Sequence, residues 1–288
     1  MAPFHCLTFL TDYGLEDGFV AACHGVAFQI APNTRIIDIT HLVPAGDIRR
    51  GAAVLAQTVR YLPPAVHVAV VDPGVGTTRR AVAVAAGDSV FVGPDNGVLS
   101  WAVTESGGAT AAVSLTNRAL WLDAVTATFH GRDIFMPAAA HLAAGTPLAR
   151  AGGELDVASL VTLPRPESHV RDGAADAEVV TVDRFGNAQL SVTGADAERA
   201  GFVPGVPVTL VWERQRRTVA FGSTFGEVAA GDLVAYSDSA GYVAIAVNGG
   251  SAAQRLGLVP GTRVTLVVTK KLARPAFPPT HPHGTIRA

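Results

Sequence analysis

The most chemically suggestive stretch of the chain is Val70-Val71-Asp72-Pro73-Gly74-Val75-Gly76-Thr77-Thr78-Arg79-Arg80. An acid closes an apolar run, a Pro/Gly turn follows, and two arginines come next. The glycines let backbone approach a ligand closely, and Arg79 can fold back over the turn toward Asp72. Asp12, Asp95, Asn96 and His130 stand in similar settings, each beside Gly, Pro or Thr at the end of a predicted element. His130 is the natural proton acceptor of this set, because an unperturbed imidazole titrates near pH ~6.5. Asp72 can orient it or hold a water, and the fixed charge of Arg79 would stabilise a developing hydroxide. A plainer reading stands beside this one: an Asp–Arg pair that pins a loop, and a histidine that caps a helix.

Other chemistries find less support. Asp12, Asp72, Asp95, Asn96 and His130 could be taken for a two-metal hydrolase site, but no paired-histidine spacing accompanies the carboxylates, and Arg79 would compete with a cation. No metal is therefore expected. No Gly-x-Ser-x-Gly occurs, and Cys23 falls on the apolar face of a predicted helix, as a core residue would. Neither a dinucleotide fingerprint nor a Walker loop is present.

Three predicted elements must position these groups. Cys6–Leu10 and Val66–Val71 read as buried strands, and Ser89–Val92 as a third, so Asp12, Asp72 and Asp95 each fall just past a strand end. Helical spacing of Phe19, Val20, Cys23, Val26, Ala27 and Ile30 predicts a helix ended by Pro32. A second helix starts at Asp47 as N-cap and shows Ile48, Ala52, Leu55, Val59 and Leu62 on one face. Arg35–Thr40, Ala81–Ala86 and Ala109–Leu115 complete the strand set, and an Ala-rich helix follows His130 to about Ala144. Strands alternating with helices imply an α/β domain with a mainly parallel sheet, over residues 1–150. The three aspartates then share the carboxyl edge where open α/β sheets place ligands.

Residues 151–176 read as a Pro- and Gly-rich linker. Beyond them the helical period disappears, and short β-like runs over 177–275 predict an antiparallel, barrel-like β domain. Residues 276–288 read as a tail whose His281 and His283 are solvated. The 288 residues carry 49% hydrophobic and 16% charged side chains with a formal net charge of −2, which suits a globular protein and excludes a nucleic-acid-coating one. The two cysteines form no framework, which suits a cytoplasmic protein. No signal peptide is evident, and no apolar run approaches the ~20 residues of a membrane span.

Taken together, Thr11-Asp12-Tyr13-Gly14, Val71-Asp72-Pro73-Gly74-Val75-Gly76, Gly93-Pro94-Asp95-Asn96-Gly97, Phe129-His130-Gly131-Arg132-Asp133 and Asp183-Arg184-Phe185-Gly186-Asn187 resemble, in order, the S-adenosyl-L-methionine (SAM) hydroxide adenosyltransferases. These are adenosine-forming SAM hydrolases related to the fluorinase and chlorinase. The resemblance implies an N-terminal α/β domain, a C-terminal β-barrel, and a homotrimer or dimer of trimers with sites at subunit interfaces. It implies SAM as substrate, no cofactor, and Asp72, Arg79 and His130 as the catalytic set. Asp12 would hold the ribose and Asp17 the methionine ammonium. Phe185 and Asn187 would hold the adenine, with Ser239 and Val247 contacting nucleoside and amino acid. Two departures stand out: Ala244 replaces the usual Glu, and Gly46 replaces a bulky aromatic. A halogenase of the same fold would replace the charged set with residues that desolvate a halide. A SAM or adenosine sensor would have little use for Arg79 and His130.

Overall fold

Strand β1 (Cys6–Thr11) is buried along its whole length, as an apolar run flanked by parallel neighbours must be. The computed structural model describes residues 3–269. The predicted tail, its His281 and His283, and the expected last residues of the β domain lie outside the described residues. The chain divides between Arg165 and Pro166 into two compact units.

In the first unit β1 is followed by α1 (Phe19–Ile30), β2 (Arg35–Thr40), α2 (Ile48–Val59), β3 (Val66–Val70), β4 (Ala81–Ala86), β5 (Ser89–Pro94), α3 (Ser100–Glu105), β6 (Ala109–Ser114), α4 (Met136–Ala143) and β7 (Gly153–Leu155). The sheet order is β2-β1-β3-β5-β4-β6-β7. Strands β2, β1, β3 and β5 run parallel, and β4, β6 and β7 extend the sheet antiparallel. Because β1, β3 and β5 are adjacent and parallel, the residues after them share one carboxyl edge. Asp47 caps α2 by accepting the Arg50 N–H at 2.9 Å. Phe19, expected on the core face of α1, is 45% exposed instead. Its ring meets Tyr13 and Phe129 edge-on, with centroids 6.2 and 5.2 Å away.

The second unit holds β8 (His169–Arg171), β9 (Ala174–Val182), β10 (Ala188–Thr193), α5 (Gly194–Arg199), β11 (Val208–Trp212), β12 (Gln215–Phe221), β13 (Leu233–Ser237), β14 (Tyr242–Val247), α6 (Ala252–Leu256) and β15 (Arg263–Val268). Seven strands close a ring in the order β9-β10-β14-β13-β12-β11-β15, and β8 pairs with β9 beside it. All pairings are antiparallel except β12 with β13. Closure leaves none of the ring strands with an open edge. Helices α5 and α6 escaped the sequence pattern because one and a half turns cannot display a period. Each is started by a hydroxyl cap, Thr193 on the Asp196 N–H and Ser251 on the Gln254 N–H.

The expected linker is not structureless. Residues 153–155 form β7 on the first sheet, and β8 and the start of β9 belong to the barrel. Among the described residues no helix is long and apolar enough to cross a membrane.

Strand β3 carries a polar passenger in its buried face. His67 is 1% exposed, bonded through Nδ1 to the Thr8 hydroxyl at 2.9 Å, with its ring 4.8 Å from that of Phe91. Burial pushes its pKa down to about 4. Above pH ~6.5 both folded and unfolded imidazoles are neutral. As pH falls from there toward the folded pKa, only the unfolded chain takes up the proton, so stability is lost across that window. The loss amounts to roughly 3 kcal/mol. Urea unfolding of the wild type at a series of pH values should show this decline, and His67→Gln should flatten it. Equal slopes for both proteins would remove His67 as the cause.

Candidate active site

Asp72 lies two residues past β3, where the chain leaves the sheet edge. Backbone bonds from Val75 N–H to Asp72 O and from Thr77 N–H to Gly74 O, each 3.2 Å, fold the following residues into consecutive turns. Gly76 sits at φ +77°, and a Cβ there would come within 2.5 Å of the Ala127 carbonyl oxygen. Only glycine fits both the left-handed backbone and that close approach. The turn returns Arg79 over Asp72. Arg79 Nε donates to Asp72 Oδ1 at 3.1 Å and Oδ2 at 3.0 Å, and Nη2 donates to Oδ2 at 2.5 Å. The two side chains are 12% and 5% exposed, so the pair is shielded from water.

The same Nη2 lies 2.8 Å from His130 Nδ1. A guanidinium has no acceptor, so Nδ1 is the acceptor and the neutral imidazole carries its hydrogen on Nε2. Burial and the neighbouring Arg79 charge push the His130 pKa below the ordinary imidazole value, against the opposing pull of Asp72 and Asp133. His130 is neutral at pH 7. Beneath Arg79 lies the Phe135 ring, 5.0 Å from the guanidinium carbon.

His130 opens a five-residue π-helical turn, Gly131–Phe135, which runs into α4. Asp133 anchors that turn. Its buried carboxylate accepts the Thr126 N–H at 2.8 Å, the Thr126 hydroxyl at 2.7 Å and Arg132 Nε at 2.6 Å. Burial opposes the charge, but these bonds outweigh it and hold the Asp133 pKa below the usual carboxylate value. Sequence reasoning gave no role to Asp133 or Phe135, three and five residues after His130. It also gave no role to Tyr13, beside Asp12. The Tyr13 hydroxyl is packed over Gly131 so closely that a Cβ would lie 1.8 Å from it. Burial, then the nearby Cys23, Asp12 and Asp72, raise the Tyr13 pKa well above its ordinary value, so it stays a phenol.

The remaining predicted residues are placed unevenly. Asp12 follows β1 and accepts the Gly46 N–H at 2.8 Å, with Gly46 at φ +72°. Asp17 is exposed in the loop before α1. Asp95 shares the carboxyl edge but is turned to structural use. Arg80 binds it through Nε at 2.7 Å, and the Val161 N–H at 2.9 Å occupies its other oxygen. In the second unit Phe185 is 77% exposed on the β9–β10 turn. That turn is organised by Asp183, which accepts the N–H groups of Phe185 and Asn187 at 2.9 and 2.8 Å and the Asn187 amide at 2.8 Å. The Val247 side chain packs into the barrel core, so its backbone is what a ligand could meet. Ser239 is exposed before β14 while Val247 ends it, so the strand's roughly 17 Å separates them within one barrel. Ala244 is buried on the same strand.

A shielded Asp–Arg pair bonded to a histidine at the carboxyl edge of an α/β sheet, with a separate closed barrel, narrows the comparison with known proteins. Residues 7–152 match the SAM hydroxide adenosyltransferase N-terminal domain, and residues 177–265 match the C-terminal domain. The chain belongs to the SAM hydroxide adenosyltransferase family. Within that family it is 57% identical over 265 residues to an (R)-S-adenosyl-L-methionine hydrolase of Salinispora tropica, covering 92% of this chain and 98% of the relative. An enzyme of that name from Thermus thermophilus is 44% identical over 267 residues, covering 90% and 98%. A fluorinase of Actinoplanes is more distant, at 28% over 296 residues, covering 90% and 96%. The family fold extends to the crystal structure of an uncharacterized conserved protein from Thermotoga maritima, with a TM-score of 0.85 and 36% identity over 91% of this chain and 99% of that one.

The Tyr13–Gly131 contact gives a direct test of how the two loops are locked. Gly131→Ala should cost about 1–3 kcal/mol in urea unfolding through overpacking. The loss should shrink in a Tyr13→Phe background, where the nearest atom is gone. An undiminished loss would place the strain elsewhere.

Proposed function

We propose that the protein hydrolyses SAM at C5′, giving adenosine and L-methionine, and that Asp72, Arg79 and His130 carry the chemistry. The observation that bears most weight is the single guanidinium bonded to both Asp72 and His130. The names of its relatives support the same reaction. A halogenase needs a site that strips water from a halide, and a charged, hydrogen-bonding trio holds water instead.

The leaving group is a neutral thioether, so departure needs no general acid. A water oxygen forms the new bond to C5′ as the C5′–S bond breaks and its electron pair passes to sulfur. Attack by neutral water leaves a protonated alcohol, far more acidic than a carboxylic acid. A carboxylate is a far stronger base than an alcohol, so Asp72 takes that proton, and solvent receives it afterwards. The Nδ1 lone pair of His130 is engaged by Arg79, so the sequence-based expectation of His130 as proton acceptor changes form. His130 serves through Nε2–H, holding the water oxygen. Positive charge on the substrate spreads in the transition state, which fixed dipoles in a dry site favour. No cofactor enters this scheme.

Asp12 and Asp17 are assigned to the ribose and the methionine ammonium, and Phe185, Asn187, Ser239 and the Val247 backbone to the remaining contacts. The exposed Phe185 ring is suited to stacking on adenine. We assign the protein to the cytoplasm as a homotrimer or dimer of trimers with sites at subunit interfaces, which light scattering of the purified protein tests.

The deciding experiment is chromatography of SAM incubated with the protein in halide-free buffer and in high chloride. Adenosine and methionine in both are expected, and a 5′-chloro nucleoside would overturn the choice of nucleophile. His130→Ala and Arg79→Ala should each lower kcat by roughly 100-fold or more while SAM affinity changes far less. Equal losses in turnover and affinity would make them binding residues only. The acid limb of kcat should fall below the ordinary histidine value, because protonated His130 must release Arg79. In Arg79→Gln that limb should move to higher pH, since the charge that depresses His130 is gone and Asp72 remains. An unmoved limb would detach the pH profile from His130.

A further inference from the structure

Outside the proposed catalytic residues, α1, β2 and the loop after β2 bring together His24, Asp38 and His41. One ligand atom from each lies within 4.8 Å of the others. His24 Nε2 is 2.9 Å and His41 Nε2 is 3.1 Å from the same Asp38 oxygen. Both separations are close to the edge between neighbouring ligands on a divalent ion with bonds of ~2.1 Å, about 3.0 Å for six-coordinate and about 3.4 Å for tetrahedral geometry.

The second observation concerns His41 alone. It is 3% exposed, and its Nε2 is buried with no hydrogen-bond partner, since the approach to Asp38 is close but not aligned as a hydrogen bond. Its other nitrogen, Nδ1, is 2.8 Å from the Thr11 hydroxyl, which also accepts the Tyr13 N–H at 3.2 Å. The Thr11 contact fits both imidazole tautomers: with the Thr11 hydroxyl donating to Nδ1, Nε2–H faces Asp38, and with Nδ1–H donated to Thr11, Nε2 presents a lone pair toward Asp38. A cation placed between the imidazole and the carboxylate selects the second tautomer and is held by both. A histidine whose far nitrogen is held by an outer oxygen is the usual form of a metal ligand. The Phe9 ring, 4.9 Å from His41, fixes the imidazole on its apolar side. The other two ligands reach solvent, with side chains 27% and 39% exposed, which leaves an entry path and room for water ligands.

We propose that His24, Asp38 and His41 form a binding site for one divalent transition-metal ion of the zinc type. Two imidazoles and one carboxylate suit zinc and its neighbours rather than calcium or magnesium, which favour all-oxygen shells. The ion takes no part in the hydrolysis described above. It joins α1 to β2 and, through Thr11, braces the turn that carries Asp12.

The test uses the full chain stripped with chelator and dialysed, titrated with zinc chloride in a calorimeter and followed by thermal melting. Wild type should bind about one zinc per chain and melt at higher temperature with it. His24→Ala and Asp38→Asn, both at solvent-reaching positions, should lose that stoichiometric binding and the melting shift while keeping the wild-type melting temperature without metal to within a few degrees. Cobalt(II) loaded into wild type should give visible d–d absorption that neither variant shows. Absence of stoichiometric binding in wild type would overturn the proposal. So would unchanged binding in both variants, which would move the ion elsewhere, for instance to His281-Pro282-His283. Turnover of SAM is read separately, so failure of the hydrolase assignment leaves this outcome intact.

Discussion

One guanidinium decides the geometry of the proposed site. Arg79 is bonded to both carboxylate oxygens of Asp72 and to the ring nitrogen of His130, with Phe135 beneath it. Removing one member of such a shielded ion pair strands the other charge and typically costs about 3–5 kcal/mol. The arrangement is therefore fixed before any ligand arrives. Its members come from two loops separated by about fifty residues, and each loop is held by a separate device. The Asp72–Arg79 turn depends on the glycine packed against the Ala127 carbonyl. The His130 segment depends on Asp133 and its bonds to Thr126 and Arg132.

The division of labour between the neighbouring arginines shows how strictly the edge is partitioned. Arg79 turns to Asp72 and His130, whereas Arg80, one residue on, turns to Asp95 and Ser159. The same residue types thus build the proposed catalytic pair on one side and a structural clasp on the other. The buried phenol of Tyr13, pressed over Gly131, connects the loop after β1 with the π-helical turn and brings Asp12 into the same assembly.

Much of this was legible in the amino-acid order. Buried strands announce themselves as apolar runs, so β1, β3 and β5 and the aspartates beyond them could be placed on one edge. The Asp–Arg pair was readable because a Pro/Gly turn allows only a short return path. Asp95 was placed on that edge, but position past a strand says nothing of side-chain direction, and there Arg80 and the Val161 N–H hold it. The acceptor role first given to His130 rested on its ordinary pKa, whereas the geometry commits its lone pair to Arg79. Phe19 was assigned to the core from helical spacing, but the aromatic cluster with Tyr13 and Phe129 draws it to the surface side of α1. The short capped helices of the barrel unit are too brief to show a period, and Asp133 with Phe135 leave no trace because their placement comes from tertiary contacts.

The π-helical turn at Gly131–Phe135 carries one more consequence. A wider turn inserts a residue's worth of rotation, about 100°, between the start of a helix and its continuation. The Ala-rich face of α4 is buried against the core, so its phase is dictated by packing. The phase of His130 is dictated by Arg79. These two demands are out of step by an angle that a regular helix cannot absorb, and the π turn is the gear that reconciles them. A chain with one residue fewer here would make a better helix and could satisfy only one of the two. Helix quality and site geometry are in direct conflict at this point in the chain, and the local irregularity records that the site prevailed.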